Sequence, residues 1–437
     1  MSTKGVYVGI IGFGTVGTGT AGILIRNREL IEQRLGFPLN LKRIADLDVH
    51  KDRGVELPVG CLTTKVGNIL EDPDIRIVVE LIGGIHPAKE FILEAIEKGK
   101  HVVTANKALL ATEGVGIFQA ASDRGVAVGF EASVAGSIPI IKSVKESFVG
   151  NKISKIFGIL NGTANYILTK MARENVDFAV ALKEAQHLGY AEADPTFDIE
   201  GIDTAHKLTL LASLAFGIPL SFDKIFIEGI TGITPLDVNF ALELGYKIKL
   251  LAVAKDTPGG IELRVHPTML PANSLISNVD GVFNAVVVEG DAIGQALFYG
   301  QGAGRLPTGS AVVSDIVDMA RYIQSGYISQ VSSLGMSREK SNAKIKTIGD
   351  LISPYYFRFS VIDKPSVLSA IAGVLGEHQI SIESVLQKAR KKDEAVPLVM
   401  LTHEAPESNV VSALYEINNL SIVADRSVFI RVEHSEQ

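Results

Sequence analysis

The sequence lacks residues on which several classes of protein depend. It has one cysteine, Cys61, among 437 residues, and no tryptophan. A single cysteine excludes an internal disulfide framework and a zinc site built from cysteines, and it suits a reducing compartment. No run of about 18 uninterrupted apolar residues predicts a membrane span, and a glycine-rich turn interrupts the apolar N-terminal run too early for a signal peptide. We therefore expect a cytoplasmic protein.

The chain also has fewer basic residues than acidic ones. Lysine and arginine together number 42, against 49 aspartates and glutamates, which gives a net charge of −7. This balance argues against nucleic acid or an anionic membrane surface as a partner and favours an acidic enzyme. Hydrophobic residues make up 46% of the chain, which is enough for a large core. The length suggests roughly two to three domains.

Strands and helices alternate over the first part of the chain. Apolar, β-branched runs predict strands at 6–11, 39–46, 75–82, 101–105 and 126–130, and a helix with one apolar face at 87–98. Such alternation is typical of an α/β fold with a doubly wound parallel sheet of the Rossmann type.

A glycine-rich turn follows the first predicted strand and has the pattern G-x-G-x-x-G. The first glycine allows a tight turn, the second lets a pyrophosphate approach the backbone, and the third lets helix and strand pack closely. Because the motif lies between a strand and a helix, it predicts a dinucleotide site formed by Gly12, Phe13, Gly14, Thr15, Val16 and Gly17.

The choice between NAD and NADP stays open. Asp46 stands at the end of the second predicted strand, where an acidic residue binds the ribose 2′-hydroxyl of NAD, and Asp48 follows it. Lys42 and Arg43 in the same strand offer cations for the 2′-phosphate of NADP. The two aspartates favour NAD slightly, and use of both cofactors is consistent with the pattern.

The pattern changes after residue 140. Helices predicted at 163–174, 177–188 and 202–216 precede strands at 247–254, 261–265 and 282–289, which indicates an α+β domain with a mostly antiparallel sheet. Another helix is predicted at 306–323, and a segment rich in Ser, Lys and Gly at 327–350 is predicted as a linker. The tail predicts a ferredoxin-like βαββαβ module with strands at 356–362, 380–389, 397–403 and 421–432 and helices at 365–377 and 407–418.

These patterns predict the domain organisation. We expect a dinucleotide-binding domain at 1–140, completed by a helix at 304–325, and a substrate-binding and dimerisation domain at 141–303. The linker and a C-terminal domain at 351–437 follow.

Acidic residues and a lysine are concentrated between Ala185 and Lys207. Asp203 and Lys207 lie four residues apart on a predicted helix, so they share a face and can pair. Spacing alone favours an ordinary surface ion pair. Reduction of a carbonyl, however, needs a proton as well as a hydride, and a half-buried lysine beside a carboxylate can donate that proton.

Other polar residues of this stretch have simpler interpretations. Glu192, Asp194 and Asp198 are candidates for a hard-cation site, although Asp198 is more simply a helix cap or a solvated side chain. His187 and His206 have no partner at metal-ligand spacing and are interpreted as structural.

The stretch from Ala185 to Lys207 resembles the signature of homoserine dehydrogenases at every fixed position. Further segments resemble the same family, so that the resemblance spans about residues 5–325. They are Thr104-Ala105-Asn106-Lys107, the run from Glu131 to Pro139, the run from Ile159 to Thr163, Gly302-Ala303-Gly304, and Pro307 to Ala311.

The resemblance implies reversible, NAD- or NADP-dependent interconversion of L-homoserine and L-aspartate 4-semialdehyde, in the biosynthesis of threonine, methionine and isoleucine. It makes Lys207 the proton donor in the reducing direction and places Lys107 near the nicotinamide and the reacting oxygen. The other residues that it implicates are Asp203, Glu192 and Tyr190 for the substrate and Gly189 and Gly304 for the cofactor. Because the chain starts directly at the dinucleotide strand, we expect an enzyme without a fused aspartate kinase.

The same resemblance implies a monovalent cation, often sodium. The matching ligands are the side chain of Glu131 and the backbone carbonyls of Val134, Gly136 and Ile138. Carbonyl ligands leave no side-chain pattern, so this site follows from the resemblance alone.

The C-terminal module resembles an ACT domain, a small amino-acid-sensing fold. The resemblance rests on residues 363–368 and 380–385. Ser366 stands where ACT domains usually have glycine, and we expect a serine there only if its φ is ordinary. Two roles stay open, which are binding of an effector, with L-threonine expected, and dimerisation alone. A homodimer or homotetramer is expected.

Two other functions fit the sequence less well. Aspartate-semialdehyde dehydrogenase uses the same aldehyde but needs a cysteine nucleophile, and Cys61 falls outside the signature. A non-catalytic amino-acid sensor with a relic Rossmann fold predicts loss of Lys207, Asp203 or Glu192, and all three are present.

Overall fold

The computed structural model describes residues 5–326, 333–334, 343–388 and 394–433. The chain forms two compact units, each assembled from three stretches. The first unit comprises Met1–Leu160, Asp203–Ile225 and Phe283–Ala343, and the second comprises Asn161–Ile202, Phe226–Val282 and Lys344–Gln437. Within the described ranges, no helix is both long enough and apolar enough to cross a membrane.

The first unit contains a six-stranded parallel sheet. In spatial order its strands are Leu62–Thr63, Leu39–Ala45, Val6–Ile11, Ile75–Glu80, His101–Thr104 and Val128–Gly129. Helices Thr15–Arg26, Arg28–Leu35, Gly67–Leu70, Ala88–Glu97 and Lys107–Arg124 connect them. The predicted doubly wound α/β sheet is confirmed, and its strand order reverses between Val6–Ile11 and Ile75–Glu80, where such sheets bind ligands.

A buried carboxylate ends the central strand earlier than predicted. The strand predicted at 75–82 stops at Glu80, whose side chain is fully buried. Its Oε1 accepts the N–H groups of Ile82 at 2.8 Å and Gly83 at 3.2 Å, and its Oε2 accepts the hydroxyl of Thr104 at 2.7 Å. Glu80 thereby turns the chain and joins two strands at their carboxyl ends.

A distant helix completes the core of this sheet. Helix Arg305–Ser325 contributes Val312, Ile316 and Ala320 to the same apolar cluster as the first strand. The helices approach so closely that a Cβ on Gly19 would lie 1.9 Å from the carbonyl oxygen of Arg305. Glycine is therefore required at that contact.

Three antiparallel strands also belong to the first unit. They are Ile153–Ile159, Phe283–Gly290 and Gly294–Gln301, with Phe283–Gly290 in the centre. Only the central strand was expected from the sequence. Short helical segments at Glu131–Ser133, Ile140–Lys142 and Ser143–Ser147, and most of helix Ile202–Phe216, complete the unit.

The second unit combines helices with a mixed sheet. Helices Gly162–Glu174, Phe178–His187, Thr196–Ile199 and Pro235–Glu243 precede the long antiparallel strands Tyr246–Thr257 and Gly260–Pro271. Both strands are longer than predicted because their pairing continues in register from Tyr246 opposite Pro271 to Thr257 opposite Gly260.

The C-terminal module has the predicted βαββαβ order. Its strands lie side by side in the order Val423–Val432, Tyr355–Ile362, Ala395–Thr402 and Ile382–Leu386, with helices Val367–Glu377 and Glu407–Asn418. Ser366 has φ 73° and ψ −3°, so the expectation of an ordinary φ is wrong. The predicted linker at 327–350 lies mostly outside the described residues, which include 333–334 and 343–350 of it.

Candidate functional site

Two lysines meet one carboxylate in the first unit. Nζ of Lys207 lies 2.6 Å from Oδ2 of Asp203, and Nζ of Lys107 lies 3.1 Å from Oδ1 of the same residue. Asp203 and Lys207 are each 8% exposed, whereas the side chain of Lys107 is 41% exposed. The i, i+4 pair is therefore buried, and its interpretation as a surface ion pair is wrong.

A backbone carbonyl holds Lys207 from a second side. Nζ donates to the carbonyl oxygen of Leu160 at 2.6 Å, and Nδ2 of Asn284 donates to the same oxygen at 3.0 Å. Leu160 directly follows one strand of the antiparallel ladder, and Asn284 lies on the central strand. The ladder thus supplies an acceptor that fixes the ammonium group against Asp203.

Lys107 approaches from the parallel sheet. It is the first residue of helix Lys107–Arg124, which begins directly beyond strand His101–Thr104. Asn106 caps this helix by accepting the N–H of Leu109 at 3.2 Å. The carboxyl edge of the sheet, fixed by Glu80, therefore delivers Lys107 to the carboxylate that Lys207 also binds.

His206 lies within the electrostatic reach of this cluster. Burial lowers the pKa of its imidazole, and the ring packs against Phe222 with centroids 4.5 Å apart. Such packing supports a neutral, structural histidine.

The glycine turn has the geometry that a pyrophosphate requires. Gly12 has φ 101°, and a Cβ there would lie 2.8 Å from the backbone of Leu81. A Cβ on Gly17 would lie 2.0 Å from the oxygen of Gly12, so helix and turn are in direct contact. Beside Gly14, by contrast, there is open space at the start of helix Thr15–Arg26. These residues fit a dinucleotide.

Asp46 is engaged by protein groups rather than directed outward. Its Oδ2 accepts the N–H of Phe13 at 2.6 Å, and its Oδ1 lies 2.9 Å from the guanidinium of Arg53. That guanidinium also lies over the ring of Phe13, 5.0 Å from its centroid. Arg53 therefore covers the position at which the second sheet strand ends.

The two cations suggested in that strand have other partners. Lys42 pairs with Asp72 at 2.8 Å and Asp74 at 2.9 Å, and Arg43 donates to the carbonyl oxygen of Gly60. Both are committed to loops at the side of the sheet.

The signature loop before Asp203 belongs to the second unit. Glu192 is exposed, and Tyr190 packs its ring 5.1 Å from that of Tyr166. Gly189 has φ 73° just after helix Phe178–His187. The backbone oxygen of Tyr190 accepts the hydroxyl of Thr163 at 2.6 Å.

The hard-cation alternative for this loop is not supported. No group of three or more His, Cys, Asp or Glu side chains within the described ranges could hold a metal. Asp194 accepts the hydroxyl of Thr196 at 2.6 Å, and Asp198 accepts the amide of Asn161 at 2.6 Å. Asp198 therefore has a protein partner and is not simply solvated.

Two buried carboxylates lie near the segment implicated in cation binding. Glu131 accepts the N–H groups of Ile141 and Lys142 at 2.9 Å each, and burial raises its pKa to about 6. Asp315 accepts the N–H of Glu131 at 2.8 Å, and burial, followed by the charge of Glu131, raises its pKa to about 7. Ala135 and Gly136 both have φ 55°. Two buried carboxylates side by side fit a hard cation, which prefers oxygen ligands.

Four contributors were missed from the sequence. The carbonyl of Leu160 leaves no side-chain pattern, and Asn284 and Asp315 lie far along the chain from the groups that they contact. Arg53 lies only seven residues beyond Asp46, but in a loop without a regular pattern. Cys61 is buried and its thiol pKa is raised by burial, which does not suit a thioester nucleophile.

Known proteins are similar to this one along nearly the whole chain. The family model described as homoserine dehydrogenase matches residues 139–317, and the one described as homoserine dehydrogenase, NAD binding domain, matches residues 12–131. A homoserine dehydrogenase from Pseudomonas aeruginosa is 48% identical over 432 residues, which cover 98% of this chain and 99% of that protein.

Solved structures extend the similarity to three dimensions. The crystal structure of a homoserine dehydrogenase from Thiobacillus denitrificans has a TM-score of 0.94 and 47% identity, and the match covers 99% of both chains. A hyperthermophilic archaeal homoserine dehydrogenase mutant in complex with NADPH has a TM-score of 0.61 and 26% identity, covering 72% of this chain and 98% of that chain.

Proposed function

This chain belongs to the homoserine dehydrogenase family, and on that premise we propose that it interconverts L-homoserine and L-aspartate 4-semialdehyde with Lys207 as the proton donor. It is an NAD(P)-dependent oxidoreductase. We place the reaction in the biosynthesis of threonine, methionine and isoleucine, and the protein in the cytoplasm.

One observation carries the assignment of Lys207, which is the burial of its ammonium group between Asp203 and the carbonyl of Leu160. The nicotinamide cofactor supplies or accepts the hydride. In the reducing direction, Nζ of Lys207 gives its proton to the carbonyl oxygen, and in the oxidising direction the neutral amine takes the hydroxyl proton. Holding the amine between two acceptors fixes its direction before the substrate arrives.

Asp203 and Lys107 complete this proton-handling group. Asp203 orients both lysines through its two oxygens and offsets one of their two positive charges. Lys107, half exposed at the carboxyl edge of the sheet, polarises the substrate oxygen beside the cofactor. Glu192 and Tyr190 complete the proposal as substrate-binding residues, with the carboxylate of Glu192 matching the ammonium group of the substrate.

Two replacements of Lys207 test the assignment. Lys207→Met keeps the bulk of the aliphatic side chain but has no acidic proton to donate. Lys207→Arg keeps the positive charge on a guanidinium that does not deprotonate. Both should lower kcat by about 100- to 10,000-fold in homoserine oxidation, while cofactor binding measured by nicotinamide fluorescence stays unchanged. Substantial turnover by the arginine variant would refute proton donation and leave only a role for the charge.

For the cofactor, we propose that both NAD and NADP are used, with Gly12 to Gly17, Gly189 and Gly304 contacting it. The pairing of Asp46 with Arg53 neutralises the carboxylate that a slight preference for NAD rested on. Arg53 is then the cation for a 2′-phosphate. Initial rates with NAD and NADP side by side measure the preference directly.

For the cation, we propose sodium held by Glu131 and the carbonyls of Val134, Gly136 and Ile138. Sodium should raise the thermal midpoint relative to tetramethylammonium at equal ionic strength, because it offsets buried negative charge. The rise should disappear in Glu131→Gln. Equal midpoints in the two salts would remove the site.

For the C-terminal domain at 351–437, we propose an effector role, with L-threonine as the inhibitor. The left-handed turn at Ser366 preserves the backbone shape that glycine usually supplies there. Homoserine oxidation with and without L-threonine tests this, and unchanged rates at saturating threonine would leave only a dimerisation role. We propose that residues 1–140 with helix 304–325 bind the cofactor, and that residues 141–303 bind the substrate and form the dimer contact. The assembly is proposed to be a homodimer or homotetramer.

A further inference from the structure

Asn284 occupies a position next to Lys207 that the sequence did not single out. The residue is 1% exposed on the central antiparallel strand of the first unit. Its Nδ2 donates to the carbonyl oxygen of Leu160, which is also the acceptor for Nζ of Lys207. Asn284 and Lys207, the proposed proton donor, are therefore linked through one shared acceptor.

The other polar atom of this side chain is unsatisfied. Among the described residues, Oδ1 of Asn284 is buried and accepts no hydrogen bond. Leaving a buried acceptor unpaired costs about 1–3 kcal/mol, and an apolar side chain of the same shape would avoid that cost. Stability alone therefore does not account for an asparagine at this position.

The surrounding backbone is built to admit the amide group. A Cβ on Gly302 would lie 2.1 Å from Cγ of Asn284 and 2.3 Å from its Oδ1. Only glycine leaves room for the amide, so two positions of the chain are committed to it.

The second unit contains a matching arrangement of residues that have no part in the proposed active site. Asn165, also 1% exposed, donates through Nδ2 to the carbonyl of Val279 at 3.0 Å, and Lys249 donates to the same carbonyl at 2.6 Å. There, however, Lys249 also donates to Oδ1 of Asn165 at 3.1 Å. A fully satisfied asparagine stabilises its surroundings, whereas Asn284 satisfies only the carbonyl that holds Lys207.

We infer that Asn284 is a positioning residue, which fixes the carbonyl of Leu160 and through it the ammonium group of Lys207. The inference rests on the proposed role of Lys207 as proton donor. When Asn284 and Lys207 both donate to the carbonyl of Leu160, the amine of Lys207 points in one direction. When the amide of Asn284 is removed, the carbonyl and the amine both become more mobile, and proton transfer slows.

The replacement Asn284→Leu separates positioning from stability. It should lower kcat about 10-fold or more, leave the KM for the cofactor within about twofold, and keep or raise the thermal midpoint, because the unpaired acceptor is gone. The matched control, Asn165→Leu, should lower the midpoint and leave kcat unchanged. Asn284→Ala, which is smaller and avoids overpacking against Gly302, should reproduce the fall in kcat if the leucine variant does not fold.

Wild-type kcat in a folded Asn284 variant would overturn the inference. So would a loss of kcat that is matched by weaker cofactor binding and a lower midpoint, as for a purely structural residue. The inference and the proposed function fail separately. If Lys207→Met is active, Lys207 is not the proton donor, whatever the result for Asn284. If Lys207→Met is inactive and Asn284→Leu is fully active, only the positioning role of Asn284 is refuted.

Discussion

Removing the carboxylate that two lysines share is the most direct test of the proposed site. Asp203→Asn keeps the shape of the side chain but leaves the buried ammonium of Lys207 without its counter-charge. Breaking one partner of a buried ion pair costs about 3–5 kcal/mol. The contact with Lys107 adds little to this figure, because that side chain is 41% exposed and screened by solvent. We expect a loss of about 3 kcal/mol in the free energy of unfolding.

The effect on turnover should exceed what this loss of stability explains. Asp203→Asn removes the charged group that orients both lysines, so kcat/KM for homoserine should fall at least about 100-fold. The second unit offers a control in Asp280→Asn. Asp280 lies 3.0 Å from Lys249, whose side chain is 3% exposed and which also donates to a backbone carbonyl. This control should lose stability and keep its turnover.

The assay is chemical unfolding followed by fluorescence, combined with initial rates for both variants under conditions in which the folded fraction is close to one. If Asp203→Asn and Asp280→Asn lose turnover equally, the effect comes from stability, and the reasoning about the shared carboxylate is refuted. Wild-type turnover in Asp203→Asn would refute it as well.

Three further predictions concern the cofactor, the C-terminal turn and the pH dependence of stability. Arg53→Ala should raise the KM for NADP about 10-fold or more and change that for NAD much less, and equal changes in initial-rate assays would contradict a role at the 2′-phosphate. Ser366→Gly should raise the free energy of unfolding by about 0.5–1 kcal/mol, because relief of left-handed strain exceeds the added chain entropy; Ser360→Gly in an extended strand should lower it. Burial lowers the pKa of His101 to about 4, so its neutral form stabilises the fold above the unfolded pKa of 6.5 and this stabilisation is lost as pH falls towards 4. Between pH 7 and pH 4.5 the wild type should therefore lose about 2 kcal/mol more than His101→Gln, and parallel unfolding curves would contradict this.

The sequence predicted elements whose side-chain pattern is strong. The parallel strands are short, apolar runs followed by turns, and every one predicted in the first part of the chain is present. Their ends differ from the prediction where a side chain bonds to the backbone, as Glu80 does with Ile82 and Gly83. Strand Gly294–Gln301 was missed because glycine stands at position 294 and again at 300, and its faces are mostly exposed or half-buried.

The candidate site was predictable only in part. The i, i+4 pairing of Asp203 and Lys207 follows from helix geometry, but its burial depends on strands more than 40 residues away in either direction. Spacing alone pointed to the wrong environment, and the resemblance to a family corrected it. Backbone acceptors such as the carbonyl of Leu160, and distant partners such as Asn284, have no local pattern that reasoning from one sequence could have found.

The late helix that completes the first core has a consequence for how the protein is made. Helix Arg305–Ser325 belongs to the same apolar cluster as strand Val6–Ile11, yet the ribosome synthesises it after most of both units. The six parallel strands emerge first with part of their apolar face uncovered, and they cannot finish packing until the chain beyond Ser325 has left the exit tunnel. We therefore expect nascent chains of this protein to expose apolar surface of the sheet during translation, which favours aggregation before synthesis is complete. A nonsense mutation shortly before Arg305 should yield aggregates rather than a free-standing nucleotide-binding fragment.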